Sequence, residues 1–321
     1  MPRAALLIVL LLFATGSFFA ALLFGSLELS ASQLFAGIFF PAPGVVDDVI
    51  WKLRLPRAAA AFACGGLLAT AGVLLQVLLR NPLADPYILG ISGGAALGAL
   101  GALLGGAGLA ITNLAALTGA LAAIAIVFAL SFRAGDWNVH RLLLTGVVLS
   151  AGFGALISLT LTLAPQAQLK GMLFWLMGDL SNAGASGVAW LLLALLLAVF
   201  TAWSGALNAL SLGALKARAL GVAVGVLQLA IYFGAAAATV AAVLLGGSIG
   251  FVGIMVPHAL RLLGLHDHRW LLPACALAGG GFVTLADTFA RTVWAPQQLP
   301  VGVFTSLIGV PVLLILLSRR P

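Results

Sequence analysis

The sequence predicts an all-α membrane protein of about ten transmembrane helices with both termini cytoplasmic. Three observations predict it. Of 321 residues, 63% are hydrophobic and only 7% charged, with a mean hydropathy of +1.22, whereas a soluble domain carries about 25% charged residues. Two stretches, between Asp85 and Arg133 and between Arg218 and Arg261, hold no Asp, Glu, Lys or Arg at all, and each is too long for one crossing of a ~30 Å hydrocarbon core. The 39 glycines suit helices that approach closely in lipid.

The elements follow in order. The first apolar run, Ala4 to Leu27, exceeds the ~7–15 residues of a secretory signal core and reads as an uncleaved helix. Glu28 to Val49, with Pro41, Pro43, Asp47 and Asp48, reads as a polar loop carrying a short surface helix near Ser32 to Phe39. Lys52, Arg54 and Arg57 bracket Pro56 and open the second helix, which runs uncharged from Ala58 to Leu79 and stops at Arg80-Asn81-Pro82. The stretch after Asp85 must be a hairpin: helix three near Ile91 to Leu109, a turn at Thr112-Asn113, helix four near Leu114 to Phe132. Helix five spans Leu142 to Ala164, and Pro165 ends it. Lys170 to Gly187 is a short interfacial helix with Trp175 suited to the headgroup zone. Helix six is Val188 to Leu207. The second uncharged stretch gives helix seven, Gly225 to Leu245, a turn at Gly246 to Gly250, and a shorter helix eight, Phe251 to Leu263. Helix nine, Leu271 to Ala290, and helix ten, Val301 to Leu317, complete a single transmembrane domain over residues 1–321.

The net charge of +7 does not signal nucleic acid, because its cations are scattered over loops, as membrane orientation requires. With the N-terminus inside, the inner side receives Arg3, Arg80, Arg133, Arg141, Lys216, Arg218, Arg261, Arg269, Arg319 and Arg320. The outer side receives Lys52, Arg54, Arg57, Lys170 and Arg291. The excess lies inside. Cys64 and Cys275 lie in apolar runs and read as core residues. His258, His266 and His268 lie near Asp267, but a short loop after a helix does not assemble the four ligands of a closed metal site. No lysine follows a glycine and precedes Ser or Thr, so the chain has no phosphate loop. Nor does a predicted span hold an acidic residue, apart from Asp287 near one helix end; ion-coupled carriers place such groups near the midplane. A permeation protein without its own coupling device implies a partner that hydrolyses ATP.

Four separated blocks carry a resemblance: RLPRAAAAFACGGLLATAGVLLQVLLRNPLADPYILGISGGA, RLLLTGVVLSAG, GGSIGFVGIMVPHALRLLGLHDHRWLLPACALAGGGFVTLADTFAR and LPVGVFTSLIGVPVLL. Together they resemble the permease subunits of ABC importers for ferric siderophores, haem and vitamin B12, over nearly the whole chain. The resemblance implies a bacterial inner-membrane permease that performs no covalent chemistry and pairs with a second copy. It also implies two cytoplasmic ATPase subunits, which hold the ATP and Mg, and a periplasmic substrate-binding protein, with no cofactor in this chain. Carried over by position, Arg54, Arg57 and Arg291 match the arginines that receive carboxylates of the binding protein, a task suited to a rigid, permanently charged fork. Asn81, Pro82 and Leu83 match the cytoplasmic gate turn. Val139 and His140 fall in the second gate loop, although the family often has small hydroxylated residues there. Leu207 to Val222 matches the segment coupled to the ATPase, with Leu212, Gly213, Leu215, Lys216 and Arg218 at the contact; an acidic residue common there is replaced by Ala214 and Leu215. An iron chelate is the expected cargo, with vitamin B12 the alternative. A self-contained secondary transporter and an assembly protein are the rivals of other classes.

Overall fold

The structure, a computed structural model, describes residues 3–318 apart from 26, 28, 134, 135, 138 and 185. The chain enters as α1 (Arg3–Leu23), which is charge-free after its first residue, and continues to α2 (Ala31–Phe39). Ser30 and Gln33 close the start of α2 with a reciprocal capping box. Next, α3 (Val45–Asp48), a π-helical turn (Val49–Arg54) and α4 (Leu55–Leu79) run together as one 35-residue helix. Pro56 follows directly on the π-helical turn, inside this continuous helix, where it has no N–H to donate to the turn before it. The helix ends in a left-handed Arg80 (φ 49°), whose neighbour Asn81 donates its N–H to the Gln76 carbonyl.

A 3-10 turn (Pro86–Leu89) leads to the hairpin α5 (Ile91–Leu104) and α6 (Leu109–Ser131). The break falls at Gly105-Gly106 and not at Thr112-Asn113, because Gly106 alone there takes positive φ (70°). A two-residue ribbon, β1 (Phe132–Arg133) with β2 (Asp136–Trp137), precedes α7 (Val139–Leu163). Pro165 then starts α8 (Gln166–Met177), earlier than the Lys170 expected from sequence. The helix expected over Val188 to Leu207 bends by 68° between α9 (Gly187–Ala202) and α10 (Ser204–Ser211). Then come α11 (Ala214–Ala219), α12 (Val224–Gly246), α13 (Val252–Leu262), α14 (His268–Thr292) and α15 (Val301–Ser318).

The expected count of about ten crossings is corrected. Among the described residues six helices are long and apolar enough to cross a membrane: Arg3–Leu23, Val45–Leu79, Leu109–Ser131, Arg141–Leu163, Val224–Gly246 and His268–Thr292. They become seven if the bent α9–α10 pair counts as one. The physical reason is that an uncharged run is not the same as a helix. Glycines and turns consume part of each run, so α5 keeps 14 residues and α13 only 11, roughly 21 and 16 Å at 1.5 Å per residue. The even count behind the shared side of the two termini is lost with it.

The core sits around α4, whose apolar window is 94% buried. Its glycines set the spacing. A Cβ on Gly65 would lie 2.1 Å from the Gly279 carbonyl oxygen of α14, and one on Gly72 would lie 1.9 Å from that of Gly253 on α13. By contrast, only 11% of the window of α7 is buried, so an apolar helix faces outward along its whole length.

Candidate functional site

Two polar assemblies lie at opposite ends of α4. At its first end three arginines gather, and two of them, Arg54 and Arg291, donate to the C-terminal carbonyls of α1, which have no partner within their own helix. Arg54 donates to the carbonyls of Leu22 (2.7 Å), Leu23 (2.7 Å) and Leu27. It is 4% exposed. Arg291 donates to the Ala21 carbonyl. Arg57 grips Asp287 through Nε (2.9 Å) and Nη2 (2.8 Å) and reaches Gln298 with Nη1 (2.8 Å). Arg291 Nε lies 3.9 Å from the same carboxylate and makes no hydrogen bond. The three arginines singled out by sequence are therefore brought together, each already engaged inside the chain. Arg57 keeps the most exposed side chain of the two ion-paired ones, at 13%. The sequence signal for their partner was Asp287 itself, an acid in an otherwise acid-free span; nothing pointed to Gln298.

At the other end of α4 lies the Asn81–Pro82–Leu83 turn. Asn81 Oδ1 accepts from Leu83 N (2.9 Å) and its carbonyl from Ala84 N (3.1 Å), a self-closed turn with its face to solvent. Beyond it Asp85 accepts from Tyr87 N (2.7 Å), and burial pushes its carboxyl up to about 6 against the pull of that hydrogen bond. The Tyr87 hydroxyl donates to the Ile249 carbonyl (3.1 Å) and accepts from Ile249 N (2.9 Å), tying the turn to the break before α13. Val139 and His140 begin α7, and their side chains lie outside the described residues.

The connector α10–α11 folds under the same end. Gly213 is its hinge, at φ 115°, where an L side chain is strained. Leu212, Leu215 and Leu220 are 63, 83 and 67% exposed, and Lys216 and Arg218 are exposed beside them. Between connector and gate turn opens a cavity of about 750 Å³ whose wall includes Arg3, Arg80, Asn81, Leu212, Arg261 and Asp267. Asn208 holds the far wall. Its amide donates to Asp267 (2.9 Å) while its oxygen accepts from His268 N (3.1 Å) and faces His268 Nδ1 at 2.6 Å. That arrangement makes Nδ1 the donor and leaves Nε2, which has no partner, as the lone-pair nitrogen. Arg261 donates to Gln76, whose amide reaches the Gly253 carbonyl (3.2 Å). Sequence reasoning missed Gln76 and Asn208; the former was legible as a lone amide in an apolar helix. A second cavity, about 690 Å³, lies between the end of α8, the Ser248–Gly250 turn and α15, lined by Met177, Ser248, Val303, Ser306 and Leu307 among others.

A model of the FecCD transport family matches residues 8–319. The chain belongs to the FecCD transport family. It is 38% identical over 300 residues to an uncharacterised ABC transporter permease protein, YvrB, of Bacillus subtilis, covering 90% of this chain and 84% of that one. It is 38% identical over 304 residues to the vitamin B12 import system permease BtuC of Escherichia coli O127:H6, covering 91% and 90%. Among solved structures, one described as an inward-facing ABC transporter of metal-chelate type superposes with a TM-score of 0.84 at 30% identity, covering 99% of this chain and all of that one. PsaBC from Streptococcus pneumoniae shares the fold alone, at 16% identity and a TM-score of 0.56, covering 86% and 95%. As a FecCD member the chain is a type II ABC-importer permease of the iron-chelate and cobalamin group, a multi-pass inner-membrane transport subunit and not an enzyme. The architecture of that class implies a homodimer, an ATPase and a periplasmic binding protein.

Proposed function

We propose that this permease carries a corrinoid of the vitamin B12 type, and that the expected iron chelate gives way to it. The observation that carries this reading is the 38% identity with a vitamin B12 permease along 91% of the chain. The cavity between α8 and α15 supports it, because its lining holds no charged side chain. An anionic ferric chelate would find no cation there, whereas a bulky solute carrying neutral amides meets hydroxyls and apolar surface.

In this reading two copies pair, each with an ATPase subunit, beneath one binding protein. The cation-rich end with the connector is cytoplasmic. Leu212, Gly213, Leu215, Lys216 and Arg218 meet the ATPase. Asn81, Pro82 and Leu83, with Val139 and His140 at the start of α7, form the inner gate. Arg57 makes the first docking contact with a carboxylate of the binding protein, and Arg291 and Arg54 hold the ground behind it. The test is the absorption spectrum of the cognate binding protein as purified, with uptake of labelled cyanocobalamin by the reconstituted complex. A corrin spectrum and ATP-dependent uptake are expected. A Soret or ferric charge-transfer band, with no cobalamin uptake, would overturn the cargo.

A further inference from the structure

We infer that the cavity between connector and gate turn receives an acidic side chain of the ATPase subunit, a second contact that grips the gate turn directly. The inference rests on the ATPase partnership proposed above. Three guanidinium groups from separate elements line the cavity: Arg3 at the start of α1, Arg80 after α4 and Arg261 on α13. One carboxylate shares the wall, Asp267, and it is spent on Asn208 and on the backbone N–H of Arg269 (3.0 Å) at the start of α14. Three guanidinium groups against one carboxylate leave the wall with an excess of positive charge. The Arg80 side chain makes no hydrogen bond or salt bridge among the described residues, its backbone N–H alone donating to the Val77 carbonyl. Its guanidinium is held against the connector, with Nη1 3.7 Å from where a Cβ on Gly213 would stand. Its backbone occupies the left-handed region, φ 49°, which an arginine adopts at a cost. Such local strain is retained where the chain is aimed at a task.

The choice of a protein carboxylate follows from what surrounds the mouth. Ser211, Leu212 and Leu220 of the connector form part of the same wall, and Leu212, Leu215 and Leu220 present a solvent-facing apolar face beside it. One rigid partner that covers those leucines also covers the cavity, and apolar contact flanked by opposite charges is the anatomy of a specific interface. The planar guanidinium fork matches a carboxylate in two bonds. Because Arg80 directly precedes Asn81-Pro82, a pull on it reaches the gate turn without passing through the connector.

The experiment measures association of the cognate ATPase subunit with full-length permease in nanodiscs. The variants are wild type, Arg80→Glu, Arg80→Gln and, as a connector control, Leu215→Asp. Neutral and anionic lipids are compared at low and high salt. Arg80 is exposed, so its replacement leaves the fold intact, and thermal unfolding checks this. Arg80→Glu should weaken association at least about tenfold at low salt, with the gap narrowing as salt rises, equally in both lipids. Arg80→Gln should lose less. Wild-type association in Arg80→Glu, with Leu215→Asp impaired, would sink the cavity contact and leave the importer reading standing. A defect confined to anionic nanodiscs would also overturn it and assign the cavity to a lipid phosphate. Failure of the wild type itself to bind would overturn the partnership and this inference together.

Discussion

At the scale of single residues the chain resolves its electrostatics locally, and two positions expose how. Asp85 has its carboxyl raised to about 6 by burial, above the ~3.9 of an unfolded chain. The folded state therefore binds that proton more tightly, so stability falls as pH rises from about 4 to 6 and the cost is absent below. Asp85→Asn keeps the acceptor for Tyr87 N and removes the charge. It should raise thermal stability in detergent at pH 8 by about 1–2 kcal/mol, after discounting for a partly exposed carboxyl. The gain should vanish at pH 4; an equal gain at both pH values would mean charge is not the cause. Asp287 is an ion-pair partner, with Arg57 and Arg291 both at its carboxylate. Asp287→Ala leaves Arg57 and Arg291 buried without it and should cost about 3–5 kcal/mol, while the paired change Arg57→Met with Asp287→Leu should cost far less. Denaturation of both variants in one detergent decides it. The sequence marked these arginines as out of place on the cation-poor side. That Arg54 is consumed by the end of α1 was not legible, since its acceptors lie 27 to 32 residues away and are backbone atoms that no side-chain pattern reveals.

At the scale of elements, close approach and interruption decide the architecture. Gly65 and Gly279 let α4 and α14 meet backbone to backbone. Gly65→Val should separate them by enough to cost about 3 kcal/mol or more, read as loss of a monodisperse peak on size exclusion. Gly16→Ala, with nothing within 4 Å of the added carbon, should elute as wild type. Each apolar run expected from hydropathy holds a helix, but several are too short or too bent to stand as crossings; starts and stops were usually visible as Pro165, Asn81-Pro82 or Gly246-Gly247. The interruptions were less visible. In the apolar run from Val188 to Leu207 only the small Ser204-Gly205 pair marks the 68° bend at Trp203.

At the scale of the whole molecule, the solvent-facing leucines of the connector, which lie outside the spans, leave a surface that a lone subunit does not cover. Mass measurement of the detergent-solubilised assembly should give two permeases with two ATPase subunits; a transport-competent monomer would contradict it. This assembly was legible only through the family blocks, since no residue pattern in one chain encodes the copy number of another. The burial of α4 carries a consequence for how the chain is made. By composition it is an ordinary span, yet in the finished molecule it touches almost no lipid. Its main neighbours α12, α13 and α14 all lie in the last third of the sequence. At 5–20 residues per second the ribosome needs roughly ten to forty seconds between the end of α4 and the end of α14. During that interval α4 stands in the bilayer with Gly65, Gly72, Thr70 and Gln76 bare to lipid or sheltered by the insertion machinery. A chain truncated ahead of α12 keeps α4 in that nursery state, and membrane quality-control proteases, not transport, set its lifetime.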